Sequence, residues 1–362
     1  LYNITKKEEE KMKNLIVLCV LLTLVGCSKS DPVDKYGSDV LNVFNWGEYI
    51  SDGEGGSVDV ISEFEKLTGI KVNYNMYDSN EDLYAKLKSG GVNYDVIIPS
   101  DYMAERLKNE GLLQKLDYSV ITNYEGIGDE YKNLFFDENN EYTVAYTGGM
   151  VGLIYNTTMV SETPDSWSVM WDPKYSGEIL TFNNSRDAFG VAQYLLGYDV
   201  NSTNPDEWRA AEEKLKEQKP LIQSYVMDEV FNKMEAGEAA MAPYYAGDYL
   251  TMKQENDDLA FVYPKEGTNK FVDVMCIPSS SENKKAAELF INYMCEPEVA
   301  LHNANYLGYL CPVTAVLSDD RYVNKDNEVL YPKQEVKTQF FHNLDQDTLD
   351  LLSKLWEDLK LA

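Results

Sequence analysis

Asp273 stands inside an apolar run, Phe271-Val272-Asp273-Val274-Met275. A carboxylate buried there is costly unless something neutralises it. Basic residues are scarce: 61 Asp and Glu face 32 Lys and Arg, for a formal net charge of −29. The chemistry offered is capture of a cation, and the overall charge would draw one in. Aromatic residues supply a second ingredient, with 27 Tyr beside 5 Trp and 12 Phe. Rings with a polar tip suit the walls of a wet cleft. An acidic excess also serves plain solubility, so charge alone does not decide between the two roles.

Other chemistries lack their residues. No HExxH, GxSxG, CxxC, GxGxxG or P-loop pattern occurs, and the two histidines, His302 and His342, lie far apart. A His-dependent hydrolase or a metalloenzyme has little to work with, and no cofactor or metal is expected. A carboxylate-only hydrolase stays open, because such enzymes need just two acids. Nucleic acid is excluded as a partner, since phosphate contacts need Lys and Arg, and an anionic membrane surface is a poor partner for the same reason.

The N-terminal segment carries a different chemistry. Lys11 and Lys13 precede an apolar run from Leu15 to Val25 that ends in Leu24-Val25-Gly26-Cys27. The run is too short to span a bilayer and suits a signal-peptide core. Its ending is similar to the lipobox of bacterial lipoproteins, in which the Cys27 thiol would carry lipid and become the new N-terminus. Residues 1–26 are therefore expected to be a signal peptide and 27–37 a lipid anchor and tether. Residues 1–11 sit upstream of a natural start at Met12, and Lys7 to Lys11 would be encoded by a purine-rich stretch like a ribosome-binding site. Removal of the signal leaves 28 basic and 58 acidic residues, net −30. It also leaves three cysteines, Cys276, Cys295 and Cys311, enough for one disulfide at most; buried free thiols are expected.

The elements that must position the acids and rings alternate. Val40 to Phe44 reads as a buried strand. Val58, Ile61, Phe64 and Leu67 recur at helical spacing until Gly69 stops the helix. Ile70 to Tyr77 reads as a strand, Asn80 to Ser89 as a helix with Leu83 and Leu87 inward, and Tyr94 to Pro99 as a strand before another helix. This β-α-β order predicts a parallel sheet. A second unit begins near Gly148. It has strands at 151–155, 179–182, 239–245, 261–263 and 271–277, and helices at 186–196, 205–218 and 231–236. The C-terminal part is mainly helical, closing with Leu344 to Leu361.

Several stretches together resemble the bacterial polyamine-binding proteins, the receptors of spermidine/putrescine ABC importers. They are Phe44-Asn45-Trp46-Gly47-Glu48-Tyr49, Tyr94 through Tyr102, Ser166-Trp167 through Gly177, Tyr263-Pro264-Lys265-Glu266-Gly267 ahead of Asp273, and Leu307-Gly308-Tyr309. Each is short, but their number and order carry the likeness over residues 40–360. The resemblance implies an α/β, two-lobed periplasmic-binding-protein-like fold, with the ligand cleft between lobes joined by crossover strands. It places the first lobe at 38–147 plus 272–317 and the second at 148–271 plus 318–362. It implies a monomeric receptor in the cell envelope, outside the cytoplasm. The receptor would be held to the membrane through Cys27, bind putrescine or spermidine, and deliver it to an ABC permease.

Carried over by position, the resemblance puts Trp46 and Tyr49 against the ligand's methylenes and makes Ser100 and Tyr102 polar contacts. Asp187 and Asp273 would take ammonium groups, Tyr245 and Phe271 would stand at aromatic positions, and Tyr309 would lie near the cleft mouth. His342 falls where a Gln is common. Two departures matter. Asn184 occupies a position that is Asp in spermidine-type members, whereas Tyr245-Ala246-Gly247-Asp248 is similar to the Trp-Ala-Gly-Asp of putrescine-type members. The resemblance therefore leaves chain length open.

The same residues make physical sense for such a ligand. Each ammonium offers up to three donors that need carboxylates or carbonyls, and the methylenes want aromatic walls. A ring face near an ammonium adds ~0.5–2 kcal/mol. Plain structural roles compete at each position. Trp46 could be a core ring, Ser100 only a helix cap, Asp187 a partner of the helix dipole, Asp248 a cap for a helix over 249–255, and Tyr309 a packing residue. Another small solute, a sugar or an amino acid, is the rival ligand class, because fold does not fix ligand.

Overall fold

The computed structural model describes residues 31–91 and 93–361; the signal segment and Cys27 lie outside the described residues. A single helical turn at Pro32–Tyr36, capped by Asp31, lies within the segment expected to be a tether; strand β1 (Val40–Trp46) follows, with Leu41, Val43 and Phe44 buried. Helix α1 (Val60–Thr68) follows, with Asp59 capping its first turn by accepting the Ser62 N–H at 2.8 Å and Gly69 ending it at φ 80°. Its buried face is Val60, Phe64 and Thr68, with Val58 and Ile61 packed at the margin. Leu67, expected to point inward, is 69% exposed. A single exposed leucine is ordinary.

Strand β2 (Lys71–Tyr77) and helix α2 (Asn80–Ser89) come next; α2 is capped by Ser79 and buries Leu83. Strand β3 spans only Val96–Ile97, shorter than the extended run 94–99 suggests. The flanking N–H groups of Asp95 and Ile98 still donate to the Asn42 and Phe44 carbonyls, so the stretch lies extended beyond its formal ladder. Both neighbours pair parallel to β1, giving the order β2-β1-β3, as β-α-β alternation requires. Helix α3 (Asp101–Asn109) leaves the C-terminal end of this sheet.

The larger sheet is mixed, in the order β10-β9-β4-β7-β5-β6 with β8 on β4. Its spine is β4 (Val144–Asn156), longer than expected because Gly148, Gly149 and Gly152 do not interrupt it. Strand β5 (Ile179–Phe182) feeds helix α4 (Ser185–Leu196), and helix α5 (Pro205–Gln218) leads to β6 (Ile222–Val226). Strand β6 has no clean alternation of buried and exposed residues, and no sequence signal announced it. Helix α6 (Glu229–Glu235), β7 (Met241–Tyr245), helix α7 (Ala246–Glu255) and β8 (Leu259–Val262) complete this part.

Strand β9 (Thr268–Met275) pairs antiparallel with the first half of β4, Met150↔Lys270 through Val144↔Met275, with a register shift between Ala145 and Thr147. The second half of β4 pairs with β7 and β8. The far end of β9 also meets the small sheet: Ile97 and Cys276 exchange backbone hydrogen bonds at 3.0 and 2.9 Å. One strand thus touches both sheets. Helices α8 (Lys284–Met294) and α9 (Pro297–Leu307) cover the small sheet's side, and the short β10 (Thr338–Gln339) lies on β9. Helix α10 (Gln346–Leu361) packs Leu352, Leu355 and Leu359 on Phe189 and Trp208, a satellite core beside the main one. Cys276, Cys295 and Cys311 are buried free thiols. No helix of the described residues is long and apolar enough to cross a membrane.

Candidate functional site

Between the two sheets lies a cavity of about 730 Å³, within the size range of small-molecule sites. Element ends supply its walls. The loop after β1 brings Trp46, Glu48 and Tyr49; the start of α3 brings Ser100 and Tyr102; the start of α4 brings Asn184 and Asp187. The end of β7 and first turn of α7 bring Tyr245 and Asp248, β9 brings Phe271 and Asp273, and the turn after α9 brings Tyr309. Eleven of the twelve ligand positions expected from the sequence thus converge on one space. Among the described residues seven carboxylates and ten aromatic rings line it, and no Lys or Arg does.

The exception is His342. It is exposed, with its ring 4.0 Å from that of Phe135. The Asn201 side chain holds its backbone N–H at 2.8 Å. Successive side chains of an extended segment point opposite ways, so its neighbour Phe341 takes the wall position instead.

Asp273 is 4% exposed. Its Oδ2 accepts the Tyr49 hydroxyl at 2.6 Å, and that hydroxyl lies 2.5 Å from Thr147 Oγ1. Its Oδ1 is buried with no hydrogen-bond partner among the described residues. Burial pushes the carboxyl up to about 6, held back by the Tyr49 and Ser100 hydroxyls. Ser100 precedes α3 and its side chain makes no capping bond, which removes the plain capping role; its backbone pairs with that of Asp273 in an isolated β-bridge. Asp101 anchors this corner. Its carboxylate accepts the Tyr102 N–H at 2.7 Å and the Val272 N–H at 3.1 Å, tying α3 to β9, and burial drives its pKa well up.

Asp187 sits in the first turn of α4, capped by Asn184. Its Oδ2 accepts the Asn184 amide at 2.7 Å and the Tyr245 hydroxyl at 2.9 Å, and its Oδ1 accepts the Asn269 amide at 3.4 Å. Burial raises it to about 7 against the opposing pull of those donors and of Arg186. Asp248 belongs to the first turn of a helix that begins at Ala246, so it is not that helix's cap. Burial lifts it to about 8, eased by the Tyr309 hydroxyl and reinforced by Asp228, Glu48 and Asp273.

Two glycines make room for the rings. A Cβ on Gly149 would fall 2.7 Å from the Phe271 ring, and one on Gly247 would overlap Tyr309. The Phe271 ring in turn meets Tyr245 edge-on at 5.5 Å and Tyr309 at 6.1 Å. Trp46 packs on Tyr77 at 4.6 Å and still lines the space.

Sequence reasoning missed Asp228, Glu48, Asp78, Asp101 and Asn269. Glu48 and Asp101 stood inside quoted motifs and could have been found by extending them. Asp228 follows the unforeseen β6, and nothing local marks it. It leans on Gly47, where any side chain would overlap its carboxylate, and partial burial with Asp78 and Glu48 nearby lifts it to about 6. Among the described residues no three carboxylate, imidazole or thiol groups are set to hold a metal ion. Acid-lined aromatic walls suit an organic cation.

Residues 59–330 match the family described as bacterial extracellular solute-binding protein. A spermidine/putrescine-binding periplasmic protein of Salmonella typhimurium is 36% identical over 278 residues, 76% of this chain and 78% of that one. A solved chain from Listeria monocytogenes superposes with a TM-score of 0.84 at 34% identity, covering 90% of this chain and 99% of that one. The substrate-binding protein PotD of a Streptococcus pneumoniae spermidine/putrescine ABC transporter gives 0.73 at 35%, with the same coverage. The α/β solute-binding fold is thus shared along with the sequence, and the chain belongs to the bacterial extracellular solute-binding protein family.

Proposed function

We propose that this protein is an extracytoplasmic receptor that binds putrescine or spermidine and passes it to the permease of an ABC importer. The observation that carries the reading is Asp273 Oδ1, which among the described residues is a buried acceptor without a donor in an aromatic-walled cavity that no basic side chain lines. An ammonium supplies both the charge and the hydrogen bond it lacks. The relatives' own binding of spermidine and putrescine points the same way. An amino acid would need a cation for its carboxylate, and a sugar has no use for several converging acids.

The lobes are proposed to run over 38–147 plus 272–317 and 148–271 plus 318–362, with β4 and β9 as the crossovers. The reciprocal backbone bonds between Gly148 and Leu310, at 3.1 and 3.0 Å, support a boundary near 148. Ligand binding would close the lobes through the differential affinity of the closed form. The receptor would work as a monomer held to the membrane by lipid on Cys27; incorporation of labelled palmitate, lost in Cys27→Ser, checks the anchor. Calorimetry with putrescine, spermidine, cadaverine, maltose and amino acids tests the ligand class. Binding of amines alone is expected. Tight binding of maltose or of an amino acid with no response to amines would overturn the reading, and turnover of any ligand would favour the hydrolase.

A further inference from the structure

Two buried acids of the cavity, Asp273 and Asp187, differ in what they still lack. Asp273 keeps an empty buried oxygen. Both oxygens of Asp187 are already taken, by Asn184, Tyr245 and Asn269. Asn184 is bound to it twice over: its Oδ1 accepts the Asp187 N–H at 3.3 Å while its Nδ2 donates to Asp187 Oδ2 at 2.7 Å. The amide therefore stands where a donor from a ligand would otherwise go. Behind it Arg186 is 2% exposed, with its guanidinium carbon 4.5 Å from the centre of the Phe341 ring and 5.5 Å from that of Tyr102. Its Nε and Nη1 have no hydrogen-bond partner among the described residues. That end of the cavity thus presents a carboxylate satisfied from within the protein, with a fixed cation buried behind the wall.

We propose that Asn184 acts as a built-in substitute for one ammonium group, so that the receptor selects amines with two charged ends over amines with three. This rests on the polyamine reading above and deepens it. A diamine can place one ammonium on the vacant Asp273 oxygen and the other toward Asp248. A third ammonium pushed to the Asp187 end meets occupied acceptors and the Arg186 charge, and a buried donor without an acceptor is costly. Pushed the other way, it reaches the outer cleft beyond Glu48 and Asp228, where acids line a much larger, open space. An exposed ion pair there adds little. A longer amine is tolerated in that direction and gains no affinity from it.

The test is calorimetry of wild type, Asn184→Asp and Asn184→Ala with putrescine (two ammonium groups) and spermidine (three). Asp is as good a helix cap as Asn, so Asn184→Asp keeps the start of α4 while removing the amide donor; thermal melting checks that it folds. Wild type is expected to bind spermidine no more tightly than putrescine. Asn184→Asp should move the affinity ratio toward spermidine by roughly tenfold or more, and Asn184→Ala should move it the same way by less. Tighter binding of spermidine by wild type overturns the proposal, as does an unmoved ratio in a folded Asn184→Asp. If wild type binds neither amine, the polyamine reading itself has failed, which is a separate and recognisable result.

Discussion

The cavity between the sheets and the broad cleft outside it are both acidic, and they use acid differently. Inside, Asp273, Asp187 and Asp248 stand among rings, and burial raises each carboxyl. Outside, Glu54, Asp82, Glu229, Glu235 and Glu255 line an open cleft of about 2380 Å³ with no Lys or Arg of the described residues on its walls. Desolvated charges hold a partner strongly because leaving them unpaired is expensive. Hydrated charges mainly shape the field through which a cation approaches. The inner acids should therefore set how long the ligand stays, and the outer acids how fast it arrives.

The largest expected effect breaks the inner side. Asp273→Asn removes the charge facing a buried ammonium, a loss of ~2–5 kcal/mol, or roughly 30-fold to several thousandfold in affinity. Asp187→Asn and Asp248→Asn should cost less, since Asp187 has internal donors and Asp248 also borders the open outer cleft. Calorimetry with putrescine measures all three; wild-type affinity in Asp273→Asn would remove that residue from the site.

Acidity sharpens the contrast. Without ligand the inner carboxyls titrate near 6, 7 and 8, above their ordinary range, so the folded empty protein holds protons that the unfolded chain has released. These groups favour the fold below the ordinary carboxylate range, and that contribution fades as pH rises through 6 to 8. A bound dication reverses the sign, because it needs the ionised forms and must expel their protons. Putrescine affinity should fall by roughly tenfold or more between pH 8 and pH 5.5. The ligand's gain in melting temperature should be larger at pH 8.5 than at pH 5.5; equal gains would mean that the inner acids do not titrate with binding.

The smallest effect belongs to the outer cleft. Glu54→Gln with Glu255→Gln should slow association by roughly two- to fivefold at low ionic strength, fading in salt, with dissociation unchanged. Stopped-flow tryptophan fluorescence reads both rates. A change confined to dissociation would show that these acids touch the bound ligand.

Much of the inner chamber was legible because its residues sit in runs whose local pattern betrays them. Asp273 interrupts an apolar strand, and Asn184 to Asp187 open a helix; both features survive without any knowledge of the fold. The small sheet was readable for the same reason, each strand and helix being bounded by a cap such as Ser79 or Gly69. What could not be read depends on distant parts meeting. Asp228 becomes a wall residue only because β6 delivers it to Gly47 from across the cleft. The exchange of His342 for Phe341 turns on the phase of an extended segment that Asn201 fixes from far away in the chain.

The contact of β9 with both sheets also sets a timetable. Strand β3 waits for Cys276 to receive its second row of backbone bonds, and Cys276 leaves the ribosome about 180 residues after Ile97. At roughly 5–20 residues per second, the small sheet stays open along one edge for about ten to forty seconds of synthesis. Pairing at such sequence distance is also slow to form on its own. A nascent chain of this protein therefore remains pliable for most of its birth, and the stretch that ends the wait is the same strand that carries Asp273.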